Sequence, residues 1–241
     1  MPATDPPPSL RPVRPPPVKK PPPVRLACVR HGQSTWNATG RWQGQADPPL
    51  SALGEEQAAE AAERLRAMGP AGVEISGVVA SDLVRARRTG EIVADILGVG
   101  PVIICPDLRE YDVGDWSGLT KPEIEQRWPG QQEAWFGGRL ATTPGGEGRV
   151  HFARRVVDAA LRLAAGAEPG SVLVVVTHGG VIRALERATG SPPVPIANLC
   201  GRWFEVDAGV GDATNGLSTP LRAGEPVTLV GTDHRTASPS A

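Results

Sequence analysis

Leu26-Ala27-Cys28-Val29-Arg30-His31-Gly32 is a short apolar stretch that closes on an arginine, a histidine and a glycine. Further along the chain, Ser171-Val172-Leu173-Val174-Val175-Val176-Thr177-His178-Gly179-Gly180 follows the same plan. Each apolar run has the length of a strand, and the unbroken valines of the second suit a central strand covered on both faces. Each run ends on a histidine. Ligands of an open α/β sheet bind just beyond the carboxyl ends of its strands. The two imidazoles are therefore expected over one pocket, and Arg30 gives that pocket positive charge. A phosphate group is the guest such charge suits.

Strand and helix signals alternate around these two runs. Strands are expected at Leu26–Val29, Gly77–Ala80, Val102–Cys105 and Ser171–Val176, with late strands at Arg202–Val206 and Val227–Val230. Ser51 is placed to cap a helix running to about Met68, with Ala58, Ala61, Leu65 and Met68 on one face. Asp82 to Leu97 reads as a helix with Ile92, Val93, Ile96 and Leu97 inward, stopped by Gly98. Thr120 and Glu123 have capping-box spacing for a short helix that stops before Pro129. Arg149–Ala165 and Val181–Thr189 complete the helices. Such alternation predicts a three-layer α/β/α sandwich around a mostly parallel central sheet.

The 241 residues are enough for one sizeable core. We divide them into a Pro-rich tail over 1–24, one domain over 25–232 and a loose tail over 233–241. The first 24 residues hold eleven prolines, a composition that stays extended or disordered and that suits a groove for polyproline II helices. With 25 Lys+Arg against 26 Asp+Glu, charge gives no case for nucleic acid or a membrane surface. The apolar runs are too short to span a bilayer. Cys28, Cys105 and Cys200 are an odd, scattered set without metal-ligand spacing, which points to a reduced, cytoplasmic protein. The oligomeric state is left open, a homo-oligomer included.

Holding a phosphoryl dianion without a metal takes several cationic or N–H donors on one spot. Arg30, His31, Arg85 and His178 all follow predicted strands, and Asn37 adds an amide just beyond His31. Turnover needs more than binding. A neutral imidazole is a competent nucleophile, and its attack on phosphorus gives a phosphohistidine. The departing alkoxide needs a proton, for which Glu110, in Leu108-Arg109-Glu110-Tyr111, is the candidate acid. Its neighbours Asp107, Asp112 and Asp115 compete for that role. Arg87, Arg88, His151 and His234 have no supporting motif and read as surface residues. Trp36 and Trp42 lie close to the site in sequence and are candidates for its rim.

Arg30-His31-Gly32-Gln33-Ser34-Thr35-Trp36-Asn37 and Arg41-Trp42-Gln43-Gly44 resemble the signature of the histidine phosphatase, or phosphoglycerate-mutase-like, superfamily. Leu50 to Gly54, Ser81 to Ala86, Leu108-Arg109-Glu110 with Gly114 to Thr120, Pro144-Gly145-Gly146-Glu147 and Thr177 to Gly180 agree in order and spacing. The resemblance covers about residues 25 to 206. It implies that His31 is phosphorylated, that Glu110 donates the proton, and that Arg30, Arg85 and His178 form the charged pocket. Asn37, Gln43, Gly44 and the Gly179 backbone are then substrate contacts, and no metal or diffusible cofactor is needed. One departure is Gly148, where many relatives carry a serine; the glycine removes a helix cap.

The stretch Tyr111 to Gly118 is short and acidic, and only about thirty residues separate it from Pro144-Gly145-Gly146. It lacks the long basic segments by which mutase relatives retain a bisphosphate, so it resembles the phosphatase branch. The expectation is a phosphomonoesterase for a small phosphorylated metabolite, of sugar-phosphate or phosphoglycerate type. A phosphoglycerate mutase is the alternative, and a non-catalytic phospho-ligand binder or scaffold using the Pro-rich arm is the third. Specificity is expected in the variable loop around 120–148 and after Trp36.

Overall fold

The computed structural model describes residues 20–69, 73–207 and 220–231. The expected Pro-rich tail up to residue 19, the expected C-terminal tail and His234 lie outside these. Four strands run parallel: β1 (Val24–Arg30), β2 (Gly77–Ala80), β3 (Ile103–Ile104) and β4 (Val172–Thr177). Two later strands, β5 (Cys200–Val206) and β6 (Leu221–Thr228), add antiparallel to the β1 edge, giving the order β3-β2-β4-β1-β5-β6.

Successive side chains of a strand point to opposite faces, and β4 shows why its valines are unbroken. Leu173 and Val175 join the core under α6 (Arg149–Ala165) and α7 (Gly179–Ala188), with Phe152, Val156, Ile182 and Leu185. Val174 and Val176 join the core under α2 (Ala52–Met68) and α3 (Val84–Leu97), with Ala61, Leu65, Ala86 and Val93. Helices thus cover both faces, and the three-layer sandwich with a mostly parallel sheet is the observed fold. No helix among the described residues is long and apolar enough to cross a membrane.

The caps follow the sequence. Ser51 accepts from the Gly54 amide at the start of α2. Thr120 and Glu123 form a reciprocal capping box on α4 (Lys121–Arg127). Gly148 sits at the start of α6 without any side-chain cap. Three expectations are corrected, and two short helices were not foreseen. The strand expected over Val102–Cys105 is only two residues long, because Pro106 opens a tight 3-10 turn and only Ile103 and Ile104 pair with β2. The last strand starts at Leu221 and ends at Thr228; as an edge strand it tolerates Pro226 and does not need a hydrophobic run. Ile92, Ile96 and Leu97 are only half-buried, since α3 packs through the smaller Ala86, Gly90, Val93 and Ala94. Two short helices, α1 (Thr35–Ala38) and α5 (Gln131–Phe136), had no periodic pattern long enough to betray them.

Candidate active site

The parallel register of β1 and β4 pairs Arg30 with Thr177, so the next residue of each strand, His31 and His178, emerges side by side. Their rings meet edge to face with centroids 5.3 Å apart. The backbone of this segment is fixed on every side. The His31 amide donates to the Thr177 carbonyl at 2.9 Å, Asn198 Nδ2 to the His31 carbonyl at 2.8 Å, and the Gly32 amide to Thr89 Oγ1 at 3.1 Å. Gly32 and Gly54 explain one another: a Cβ on Gly32 would stand 2.4 Å from the Gly54 carbonyl oxygen, and one on Gly54 2.0 Å from that of Gln33.

His31 Nδ1 lies 2.6 Å from the Gly32 carbonyl oxygen, which only accepts, so Nδ1 carries the proton and Nε2 keeps its lone pair. Arg85 Nε donates to that Nε2 at 3.2 Å. The other two nitrogens of Arg85 donate to the carbonyls of Ala46 (2.7 Å) and Gly44 (2.8 Å), so the guanidinium is held like a fork against the ring. Arg85 is almost fully buried, which pushes its pKa down to about 10. Arg87 and Arg88, three positions or fewer away, are solvated as expected.

Burial first, then the charges of Arg85 and Arg30, hold His31 well below the usual imidazole range. Burial, Arg85, His31 and Arg30 do the same to His178. With the protein's own charges alone, both rings are neutral. His178 is fully buried, and among the described residues neither of its ring nitrogens has a hydrogen-bond partner. Orphaned buried nitrogens of this kind call for a polar guest.

Glu110 approaches from the loop after β3. Its Oε1 accepts from the Tyr111 amide at 2.8 Å and its Oε2 from the Gly180 amide at 3.0 Å, at the first turn of α7. Glycine at 180 leaves room for the carboxylate, since a Cβ there would stand 2.2 Å from Glu110 Oε1 and displace it. The Gly-Gly pair after His178 therefore begins α7 rather than delaying it to Val181, and it admits the carboxylate. Glu147, from the Pro144-Gly145-Gly146-Glu147 segment, clamps the same loop. It accepts from the Asp112 amide at 2.9 Å and pairs with Arg155 at 2.6 Å. Arg155 donates in turn to the carbonyls of Asp107, Arg109 and Glu110. Sequence reasoning missed Arg155, since a lone arginine in a helix carries no signal.

These groups open on a cavity of about 740 Å³. Arg30, His31, Asn37, Gln43, Gly44, Arg85, Glu110 and Gly179 line it; His178, fully buried beside His31, does not. Arg30, whose pKa burial lowers, also reaches the Ile196 carbonyl at 3.4 Å. Asn37 Oδ1 accepts from the Ser34 amide, which leaves Nδ2 as its donor. Gln43 Oε1 accepts from Ser34 Oγ at 2.8 Å. Of the four acidic residues from 107 to 115, only Glu110 lines the cavity; Asp107 pairs with Arg162. Trp42 lines it and Trp36 does not. Unforeseen lining comes from Trp135 and Phe136 of α5, from Arg149 and Phe152 of α6, and from Arg183 and Arg187 of α7. Among the described residues no cluster of three or more His, Cys, Asp or Glu is arranged to hold a metal ion.

Residues 26–200 match the histidine phosphatase superfamily (branch 1). The chain is 41% identical over 178 residues to the glucosyl-3-phosphoglycerate phosphatase of Mycolicibacterium vanbaalenii, covering 70% of this chain and 76% of that protein. It is 39% identical over 164 residues to the metal-independent phosphoserine phosphatase of Arabidopsis thaliana, covering 67% of each. The solved structure of mycobacterial glucosyl-3-phosphoglycerate phosphatase with VO3 superposes with a TM-score of 0.63 at 36% identity, covering 76% of this chain and 92% of that one.

Proposed function

The chain belongs to the histidine phosphatase superfamily, and on that premise we propose how its residues divide the work of hydrolysing a phosphomonoester. The observation that carries the assignment is the Nδ1–H bond of His31 to the Gly32 carbonyl, which leaves a neutral ring with its Nε2 lone pair toward Arg85. Nε2 attacks phosphorus, the N–P bond forms and the ester P–O bond breaks. Glu110 gives its proton to the departing alkoxide. Water then attacks the phosphohistidine, Glu110 takes a proton from that water, and phosphate leaves with His31 restored.

The charge is held by Arg30 and Arg85, with Asn37 Nδ2 and the Gly179 amide at the start of α7 as neutral donors. A phosphoryl group on His31 brings oxygens toward the orphaned nitrogens of His178. The dianion supplies the counter-charge that the protein lacks there, so His178 gains its proton with the substrate. Gln43 and Gly44 shape the floor, and Gly44 keeps Arg85 aimed. The substrates in the names of the two relatives, glucosyl-3-phosphoglycerate and phosphoserine, are phosphoesters that also carry a carboxylate; that class is the first to try. The three cysteines are all free, which supports a reducing, cytoplasmic location.

The test is a substrate panel with His31→Ala beside the parent. Loss of phosphate release by a factor on the order of 10⁴ or more is expected. Quenching the parent with a ³²P-labelled ester should trap an acid-labile phosphoenzyme that His31→Ala does not form. Activity of His31→Ala within tenfold of the parent sinks the assignment. With 3-phosphoglycerate, the 2-isomer in place of free phosphate would select the mutase.

A further inference from the structure

Gly179, Arg183 and Arg187 stand at i, i+4 and i+8 on α7 and so share one face of the helix. All three line the cavity. That face leaves the phosphate end at Gly179 and carries a guanidinium one turn on and another two turns on, a rise of roughly 6 and 12 Å. The cations there are under-compensated. Glu186, itself buried, pairs with Arg183 at 2.7 Å and with Arg202 at 3.2 Å, so one carboxylate serves two guanidiniums. The Arg187 side chain has no hydrogen bond or ion pair among the described residues; burial first, then the charge of Arg183, lower its pKa, against the more distant pull of Glu186 and Glu110. A cation in the last turn of a helix also offsets its dipole, but that would be satisfied on any face. Two other arginines that line the cavity away from His31 are committed elsewhere: Arg149 stacks 3.4 Å over Trp135 and donates to the Leu140 carbonyl, and Arg41 pairs with Glu123 and donates to the Gly118 carbonyl.

We infer that Arg183 and Arg187 form a second anion-binding subsite, which selects phosphoesters bearing another anionic group, a carboxylate or a second phosphate, on the carbon skeleton. Arginine forks fit either group. Tyr111, Phe152 and Ile196 line the same cavity and suit the carbon skeleton between the two anions. Glu186 is then a positioning residue, fixing Arg183 against α7 while Arg202 anchors it from β5. This inference rests on the phosphatase reading for its assay, but the subsite itself is a matter of binding.

Matched pairs of esters test it. O-phosphoserine against phosphoethanolamine and 3-phosphoglycerate against glycerol 3-phosphate isolate the carboxylate; fructose 1,6-bisphosphate against fructose 6-phosphate isolates the second phosphate. The parent should favour the doubly anionic member of a pair in kcat/KM by roughly tenfold, carried by KM and shrinking with added salt. Which pair shows it identifies the anion. Arg187→Gln, which breaks no ion pair, should bring that ratio most of the way to one, and Arg183→Gln/Arg187→Gln the rest. A ratio near one in the parent, or one that both variants leave unmoved, overturns the inference. If no ester is hydrolysed, calorimetric binding of the same pairs decides. Tighter binding of the doubly anionic member, lost in Arg187→Gln, keeps the subsite and refutes the phosphatase reading; equal binding overturns the subsite.

Discussion

At the inner end of the cavity, His31, Arg85 and Glu110 are held by backbone amides and carbonyls of Gly32, Gly44, Ala46, Tyr111 and Gly180, in the loops beyond the strands and the first turn of α7. At its mouth, Phe136 is 49% exposed, Arg187 has no polar partner among the described residues, and Arg149 is kept in place by stacking on Trp135. The inner groups owe their positions to backbone amides and carbonyls, with the Glu147–Arg155 pair bracing the loop that carries Glu110. The outer groups rest on an aromatic face or, like Arg187, have no polar partner among the described residues. Chemistry is therefore rigid and sealed, while recognition is adjustable. Under the proposed mechanism, the same division lets one scaffold keep its phosphohistidine step while the alcohol it releases changes.

Four experiments break or sharpen this contrast. Glu110→Gln should cost about 10²- to 10⁴-fold in kcat on alkyl phosphates and far less on p-nitrophenyl phosphate, whose leaving group needs no proton. Equal losses on both would remove Glu110 as the acid. Gly180→Ala should cost roughly 10- to 100-fold, because the new Cβ drives the carboxylate off the α7 amide, while thermal stability changes little; misplacement of this size is enough. Full activity in that variant would show that the carboxylate site is softer than its hydrogen bonds suggest.

The buried imidazoles predict a stability signature. Their pKa values are depressed in the folded state relative to 6.5. Below about pH 6.5 the unfolded chain binds more protons than the folded one, so stability falls as pH falls through that range. The slope approaches about 1.4 kcal/mol per pH unit for each ring. Urea midpoints between pH 7 and 5 measure it, and His178→Asn should remove about half. A flat profile would mean that the rings are not buried neutral. At the mouth, Phe136→Ala should raise KM about two- to fivefold and leave kcat nearly untouched, as befits a half-exposed aromatic wall. A fall in kcat comparable to that of Gly180→Ala would erase the distinction between the two regions.

How much of this was legible before folding differs residue by residue. The RHG and THGG segments, the capping boxes and the α/β alternation are local patterns, with periods and spacings that a sequence displays directly. Arg85 and Glu110 were also found, because each follows a strand in a familiar segment. Arg155, Arg183 and Arg187 were not: arginines on helices are ordinary, and only the packing of α6 and α7 against the loop after β3 gives them partners or a cavity. The bounds of the short strand at Ile103–Ile104, expected over Val102–Cys105, and of the polar edge strand β6, expected over Val227–Val230, were misjudged for a related reason. Edge strands bury too little to leave a hydrophobic period.

What the sequence by itself determined is the pair of strands ending in histidine and the set of groups a phosphoryl transfer needs, since these depend on residue type and local spacing. Tertiary structure alone decided that Arg30 stands opposite Thr177, which makes His31 and His178 neighbours. It alone set Glu110 on the Gly180 amide and placed an arginine stripe along the same helix. Those relations join residues far apart in the chain, and only the register of the sheet and the close packing of helices can fix them.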